Sequence, residues 1–230
     1  IGKIFSLFSI VLVASIFLVF GSIAFKSVEN IVDKAFKDVK YSYQIKYNKL
    51  LDEPLDYLET PFIEYMATPV LDGQTSTLCL YAIDPYQFIN PLYNTKGEEI
   101  TSFVKDGVLI NEFIARAYSL EIGDILTLEV KGKVIDYPIV GVVDHYNGPM
   151  IYTGLNTLIK ELGLDKDVYN GKWSTVRPLS DDNISYVLSI EDLERNITVG
   201  MEMIRVSLMI MVVVAVILGS IMMILITTFI

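Results

Sequence analysis

The stretch that decides the fold is Leu120–Val143, LEIGDILTLEVKGKVIDYPIVGVV. Leu120-Glu-Ile-Gly-Asp124 reads as a turn, and Ile125–Val130 reads as the strand that follows it. Lys131-Gly132-Lys133 is a hairpin signal, because glycine accepts the positive φ that a tight turn requires. The partner strand is expected over Val134–Val143, where Pro138 implies an edge or a bulge.

Working outward, Gly107–Ile110 (GVLI) is expected to be a short strand leading to Asn111, an N-cap for a brief helix with Phe113, Ile114, Ala117 and Tyr118 on its apolar face. Thr77–Ile83 (TLCLYAI) reads as a buried strand. Tyr152-Thr153 precedes a helix that runs through Leu162 and ends on Gly163 as a left-handed cap. Asp165–Gly171 reads as a loop. Short strands mixed with short helices imply an α+β domain.

Two uncharged runs bracket this domain. Residues 4–25 and 207–230 contain no Asp, Glu, Lys or Arg. As helices of 22 and 24 residues they reach about 33–36 Å, against a hydrocarbon core of about 30 Å. They are expected to be transmembrane helices, the first an uncleaved span because no small-x-small cleavage pattern follows it. The serines and threonines of the second can bond back to helix carbonyls. The chain opens on Ile1 and closes inside apolar sequence at Ile230, so it is expected to be a segment of a longer protein with further spans. Lys3 marks the outer ends as cytoplasmic, which puts the intervening part outside.

Each span is expected to continue outward as an amphipathic stalk. Val28, Ile31, Val32, Ala35, Phe36, Val39 and Tyr43 recur at three- and four-residue steps, giving a stalk over 26–50. Leu193, Ile197, Met201, Ile204 and Leu208 do the same over 189–206, with Ser189 as N-cap and Glu191 and Asp192 in the first turn. The α+β domain is then 51–188.

Composition narrows the function. The 230 residues are 52% hydrophobic and 20% charged, with mean hydropathy +0.47 and net charge −10. An acidic chain does not neutralise phosphates, so no nucleic-acid partner is expected. A single cysteine, Cys79, makes no internal disulfide, and a single histidine, His145, does not build a multi-histidine metal site. P-loop, dinucleotide, zincin and nucleophile-elbow motifs are absent from the sequence. Cys79 reads as a small core residue. His145 beside Asp144 reads as a loop or surface residue, since strand neighbours point to opposite faces. Trp173 and the fourteen tyrosines are read first as packing residues, with a ligand groove or a membrane interface as the other reading. Asn183-Ile-Ser and Asn196-Ile-Thr are sequons by pattern only, and Ala215-x-x-x-Gly219 offers a small-residue surface in lipid. No catalytic, cofactor-binding or metal-ligating residue is assigned, and no enzyme activity is expected.

The stretch Asp106–Gly163 resembles the extracytoplasmic domain of FtsX/MacB-like ABC transporter permeases. In that family an element V-L-I/V-x-E precedes an alanine-containing helix. A G-D-x-L/V-x-L strand follows, then a strand ending V-x-G-I/V-V, then an aromatic-rich strand leading into a short helix. The matching parts here are Val108–Glu112, Ala115–Tyr118, Gly123–Leu128, Ile139–Val143 and Met150–Gly163. Tyr81-Ala-Ile-Asp-Pro85 is similar to an upstream strand end of the family, and the order span, stalk, domain, stalk, span agrees.

The resemblance implies a MacB-like periplasmic core domain in a multi-pass subunit of the bacterial cytoplasmic membrane. It implies a non-catalytic permease with four or ten spans, paired with a second copy or a second half and driven by a separate cytoplasmic ATP-binding subunit. Such a subunit relays motion to its outer domain for export, for lipoprotein or peptide handling, or for partner regulation. The other readings of the layout are a two-span receptor of sensor-kinase type with a ligand-binding ectodomain and, less well matched by the short strands, a chain-length regulator of polysaccharide export.

Overall fold

The computed structural model describes residues 39–70, 76–144 and 148–229, together with Leu12, Ser15, Ile16, Val19, Phe20 and Ile23. Its chain forms two units, a domain of Lys34–Leu193 and a second unit to which residues 194–230 belong.

Among the described residues the domain has nine strands: β1 (Tyr43–Leu51), β2 (Glu59–Pro69), β3 (Leu78–Ile83), β4 (Val108–Asn111), β5 (Ile125–Val130), β6 (Lys133–Val143), β7 (Met150–Gly154), β8 (Tyr169–Ser174) and β9 (Ile184–Ser189). Helix α1 (Glu112–Tyr118) follows β4, and α2 (Leu155–Leu162) follows β7. The strands form one sheet in the order β3-β7-β4-β6-β5-β2-β8-β1-β9, and β3 also pairs with β2. That last pairing closes a ring of six strands, β2-β3-β7-β4-β6-β5. Ala67 shows the closure, since it lies opposite Leu78 on one side and Val130 on the other. The remaining strands, β8, β1 and β9, extend from the first half of β2, where Glu59–Phe62 face Ser174–Gly171.

Local chemistry explains the ring. Lys131 and Gly132 both have positive φ, 52° and 76°, so a two-residue turn joins β5 to β6 as expected. β6 lies between β4 and β5 and is not an edge strand. Pro138 is tolerated because β4 begins its pairing one residue later, at Ile139, with a register shift immediately after. The Asn111 carboxamide accepts the Ile114 N–H at 3.0 Å and caps α1, and Gly163, at φ 69°, ends α2. Lys133 donates to the Glu161 and Leu162 carbonyls, filling acceptors that the end of α2 leaves open. The apolar face of α1 differs from the sequence reading: Ile114 is buried with Ala115 and Tyr118 against the core, whereas Phe113 is 64% exposed and Ala117 is also outside. A seven-residue helix holds too few turns for periodicity to choose its face.

Three clusters fill the domain. The first is aliphatic and joins ring residues such as Ile63, Leu80, Ile110, Leu126 and Ile151 to Ile114 of α1 and Leu158 of α2. The second is aromatic, built from Tyr41, Phe62, Tyr81, Tyr152 and Trp173 with Ile89, Leu92, Ile100 and Val104 from the segment before β4. A smaller third cluster holds Ile45, Tyr47, Leu51 and Tyr169.

Two sequence expectations are corrected here. The stalk expected over 26–50 does not reach its end, because Tyr43–Leu51 is β1. Ile45 and Tyr47 enter the third cluster while Gln44 is buried on the other face, and burial on both faces hides the two-residue period. Residues 26–38 lie outside the described residues. The loop expected over Asp165–Gly171 ends early, since Tyr169–Gly171 belong to β8. Gly171 is required there: a Cβ would sit 2.2 Å from the Phe62 ring.

Helix α3 (Ile190–Phe229) starts in the last four residues of the domain, supplies the described part of the second unit from Glu194 on, and runs unbroken for 40 residues, about 60 Å. It contains the one stretch among the described residues, Ile190–Ile221, that is long and apolar enough to cross a membrane. Ser220 and Thr228 donate to the Val216 and Ile224 carbonyls at 2.8 Å, and Thr227 donates to Met223, so their hydroxyls are satisfied within the helix. Leu193, Ile197, Met201 and Leu208 form a half-buried stripe, from which Ile204 departs by being exposed. Of the first expected span, the six described residues are helical and exposed; the rest lies outside the described residues.

Candidate functional site

The residues that connect β9 to α3 form a bonded junction at the end of the domain. β9 passes into α3 with no loop between Ser189 and Ile190. The Ser189 hydroxyl accepts the Asp192 N–H at 3.3 Å, which is the expected N-cap. The Ile190 N–H donates to the Ser42 carbonyl at 3.0 Å, and the Ile190 side chain packs on the aromatic cluster. Ser42 in turn donates to Ser174, and Lys40 donates to Ile89. Tyr41 stacks on Trp173 with ring centroids 5.6 Å apart. The Ile190–Ser42 bond and the pairing of Tyr43 with Ser189 therefore hold the chain that enters β1 beside the chain that leaves β9, while the Tyr41–Trp173 stack fastens the entering chain to β8. A groove of about 670 Å³ beside them is lined by Tyr43, Arg177, Leu179, Asp181, Ile184 and Asp192.

A polar network ties β9 to the ring. The Tyr186 hydroxyl of β9 donates to Glu64 Oε2 of β2 at 3.0 Å. Gln44 Nε2 of β1 donates to Tyr81 at 3.0 Å and to Tyr186 at 3.2 Å, while Gln44 Oε1 accepts from Trp173 Nε1 at 3.2 Å. Lys46 Nζ donates to the Glu64 carbonyl at 2.7 Å and lies 3.9 Å from its carboxylate. Burial lowers the Lys46 pKa, against the opposing pull of Glu64. Burial and the Glu64 charge push Tyr186 up to about 12.

Asn170 completes this network by a device specific to the fold. β8 leaves β2 after Phe62 and β5 joins it at Ala67, so the backbone of Glu64 lies in the fork between them. There the Asn170 carboxamide accepts the Glu64 N–H at 2.8 Å and donates to the Glu64 carbonyl at 3.0 Å, taking the place of a neighbouring strand.

The sequence candidates fall as follows. Cys79 lies on β3, half-buried, with its thiol donating to Glu64 Oε1 across 3.7 Å. Burial, with the Glu64 carboxylate adding to it, pushes the thiol up to about 12, so it stays protonated and is no nucleophile. Trp173 is 1% exposed, in the aromatic cluster. His145 lies outside the described residues. Asp144 borders a groove of about 380 Å³ that Asn111, Phe113 and Arg116 also line. Asn183 donates to Asp181 at 3.1 Å, and Asn196 is exposed on α3. A Cβ on Gly219 would meet nothing within 4 Å, so no described residue uses the small surface there.

Among the described residues, no three His, Cys, Asp or Glu side chains converge on one point. Gln44, Glu64, Asn170 and Tyr186 went unread as a set. Their one signal is that Gln44, Lys46 and Glu64 are polar residues set into strand-like sequence. No family model matches the chain, and no curated protein matches it. Among solved structures it is similar to the extracellular domain of the noncanonic ABC-type transporter YknZ from Gram-positive bacteria, at 15% identity and a TM-score of 0.40, over 60% of this chain and 85% of that one.

Proposed function

We propose that the chain is part of a permease subunit of an ABC transporter of the FtsX/MacB kind, in which an outer domain is driven through helices by a separate cytoplasmic ATPase. The observation that carries this reading is the loop-free passage of β9 into α3, fastened by the Ile190–Ser42 bond. A flexible linker would absorb a rotation or shift of α3. A strand hydrogen-bonded to β1 and tied by Tyr186 to Glu64 hands it to the sheet. The sequence resemblance over Asp106–Gly163 and the apolar length of α3 support the same reading. In this reading the subunit is non-catalytic, spans the cytoplasmic membrane several times and holds its domain outside. It works with a second copy or second half, and the network around Glu64 serves the transmission of force.

The test is insertion of two glycines after Glu194 in the full-length protein. Glycine costs about 1 kcal/mol per residue in a helix interior relative to alanine. The insertion lies beyond the Ser189 cap and the Ile190–Ser42 bond. The expected outcome is normal membrane insertion and normal association with the ATPase, with nucleotide hydrolysis uncoupled from the outer function. Unchanged coupling, or a protein that associates with no ATPase, overturns the reading. A cytoplasmic kinase partner in place of the ATPase would install the receptor reading instead.

A further inference from the structure

The strand register puts three sulfur side chains in a row. Met66 of β2 lies directly opposite Cys79 of β3 in the antiparallel pair. Cys79 lies directly opposite Met150 of β7 in the parallel pair. Residues opposite one another across strands share a face of the sheet. The neighbours confirm which face. Cys79 and Met150 both pack against the aromatic cluster. Met66 is two residues from Glu64, which contacts Cys79, and four from Phe62, which belongs to that cluster.

From this juxtaposition we infer that Met66, Cys79 and Met150 form a site for a soft monovalent cation, Cu(I), on the outer face of β2, β3 and β7. The donor set selects the ion. Thioethers and a thiolate are soft ligands that favour Cu(I), whereas magnesium and calcium need oxygen. Opposite residues in an antiparallel pair have Cβ atoms about 4.5–5.5 Å apart. Two metal–sulfur bonds of about 2.3 Å each span a similar distance, so adjacent sulfurs can share one ion with rotamer changes alone. Methionine has three rotatable bonds with which to make them.

The surroundings suit a cation. The Tyr152 hydroxyl donates to Met150 Sδ at 3.4 Å and holds that thioether in place. The Glu64 carboxylate is 3.7 Å from the Cys79 sulfur. Met66 is 59% exposed, which leaves a path from solvent to the row and leaves packing without an explanation for this side chain. Binding exchanges ions with no change of oxidation state: Cu(I) replaces the proton on the Cys79 sulfur, a copper–sulfur bond forms as the S–H bond breaks, and the proton leaves by way of Glu64 to water. The inference is independent of the permease reading.

The test is a competition titration of the purified 230-residue chain in detergent, without oxygen, using Cu(I) and the coloured chelator bicinchoninate. Ag(I) serves as a redox-silent second probe. The expected result is one tightly held ion per chain, lost in Cys79→Ala. The exposed Met66→Leu leaves folding intact and is expected to weaken binding by about tenfold or more, the scale on which even supporting residues of metal sites act. Met150→Leu does the same. The control replaces the methionines of α3, Met201, Met203, Met209, Met211, Met222 and Met223, by leucine, and binding is expected to persist. Absence of competition, or binding that persists unchanged in the Met66→Leu/Met150→Leu double variant, overturns the inference.

Discussion

The six-stranded ring and the three strands that extend from it are built on different principles. Five ring strands, β3 through β7, follow one another along the chain, and an aliphatic cluster fills the space between the ring and its two helices. The extension pairs Ile45 of β1 with Lys172 of β8 and Val187 of β9, and it meets the ring through Trp173 in the aromatic cluster and through the polar network of Gln44 and Tyr186. Within the ring the consecutive pairs β2–β3 and β5–β6 are local and cost little loop entropy, whereas the extension forms only when distant segments meet. The extension is therefore the half of the domain in which specific side-chain bonds, rather than apolar area alone, hold the strands together. It is also the half that leads into α3.

The sharpest way to break this contrast is truncation in each half. Trp173→Ala is expected to cost about 3–5 kcal/mol, and Leu126→Ala in the ring about 2–5 kcal/mol. The sites of damage should differ. Hydrogen exchange should show Trp173→Ala opening β1, β8 and β9 while the ring stays protected, and Leu126→Ala opening the whole domain. Equal loss of protection everywhere would merge the two halves into one cooperative unit.

Asn170→Ala comes next. It leaves the Glu64 N–H and carbonyl without their amide partner in the fork between β8 and β5. A loss of about 1–3 kcal/mol is expected in chemical denaturation. Ser189→Ala removes the α3 cap and is expected to cost about 1 kcal/mol, read as faster exchange at Asp192.

The smallest effect is a slope with pH. Cys79 is held at about 12 by burial against an ordinary value of 9.0, so between these values the folded chain keeps a proton that the unfolded chain loses. Stability then falls as pH rises above 9.0. Tyr186, also raised to about 12 by burial, adds to the fall above 10. Lys46 acts in the opposite sense: its pKa is lowered by burial, so the unfolded chain holds the extra proton and this contribution rises with pH up to 10.5. Denaturation midpoints of the wild type and Cys79→Ala between about pH 8 and pH 10, on either side of the ordinary thiol value, test the Cys79 contribution, and the variant should show the shallower fall.

Much of the ring was legible. The limits of β5, the Lys131-Gly132 turn, the Asn111 cap and the Gly163 stop all follow from residue chemistry that acts within a few positions. The extension was not. Tyr43–Leu51 carries apolar residues at helix-like steps as well as strand-like ones, and only its pairing with β8 and β9 selects the strand. Gly171 looks like a loop residue until the Phe62 ring is found above it. The polar network was invisible for the same reason, since Gln44, Glu64 and Tyr186 are ordinary surface types until three strands bring them together.

By itself, then, the order of residues determined the long apolar helix at the end of the chain, the mixed α+β character of the domain and the absence of familiar catalytic motifs, because composition and short-range periodicity act along the chain. Only the tertiary structure decided that β3 returns to β2 and closes a ring, that the incoming and outgoing chains meet at Ser42 and Ile190, and that Met66, Cys79 and Met150 stand in one row. Those facts depend on register between paired strands. Register is set by how faces pack and hydrogen-bond across space.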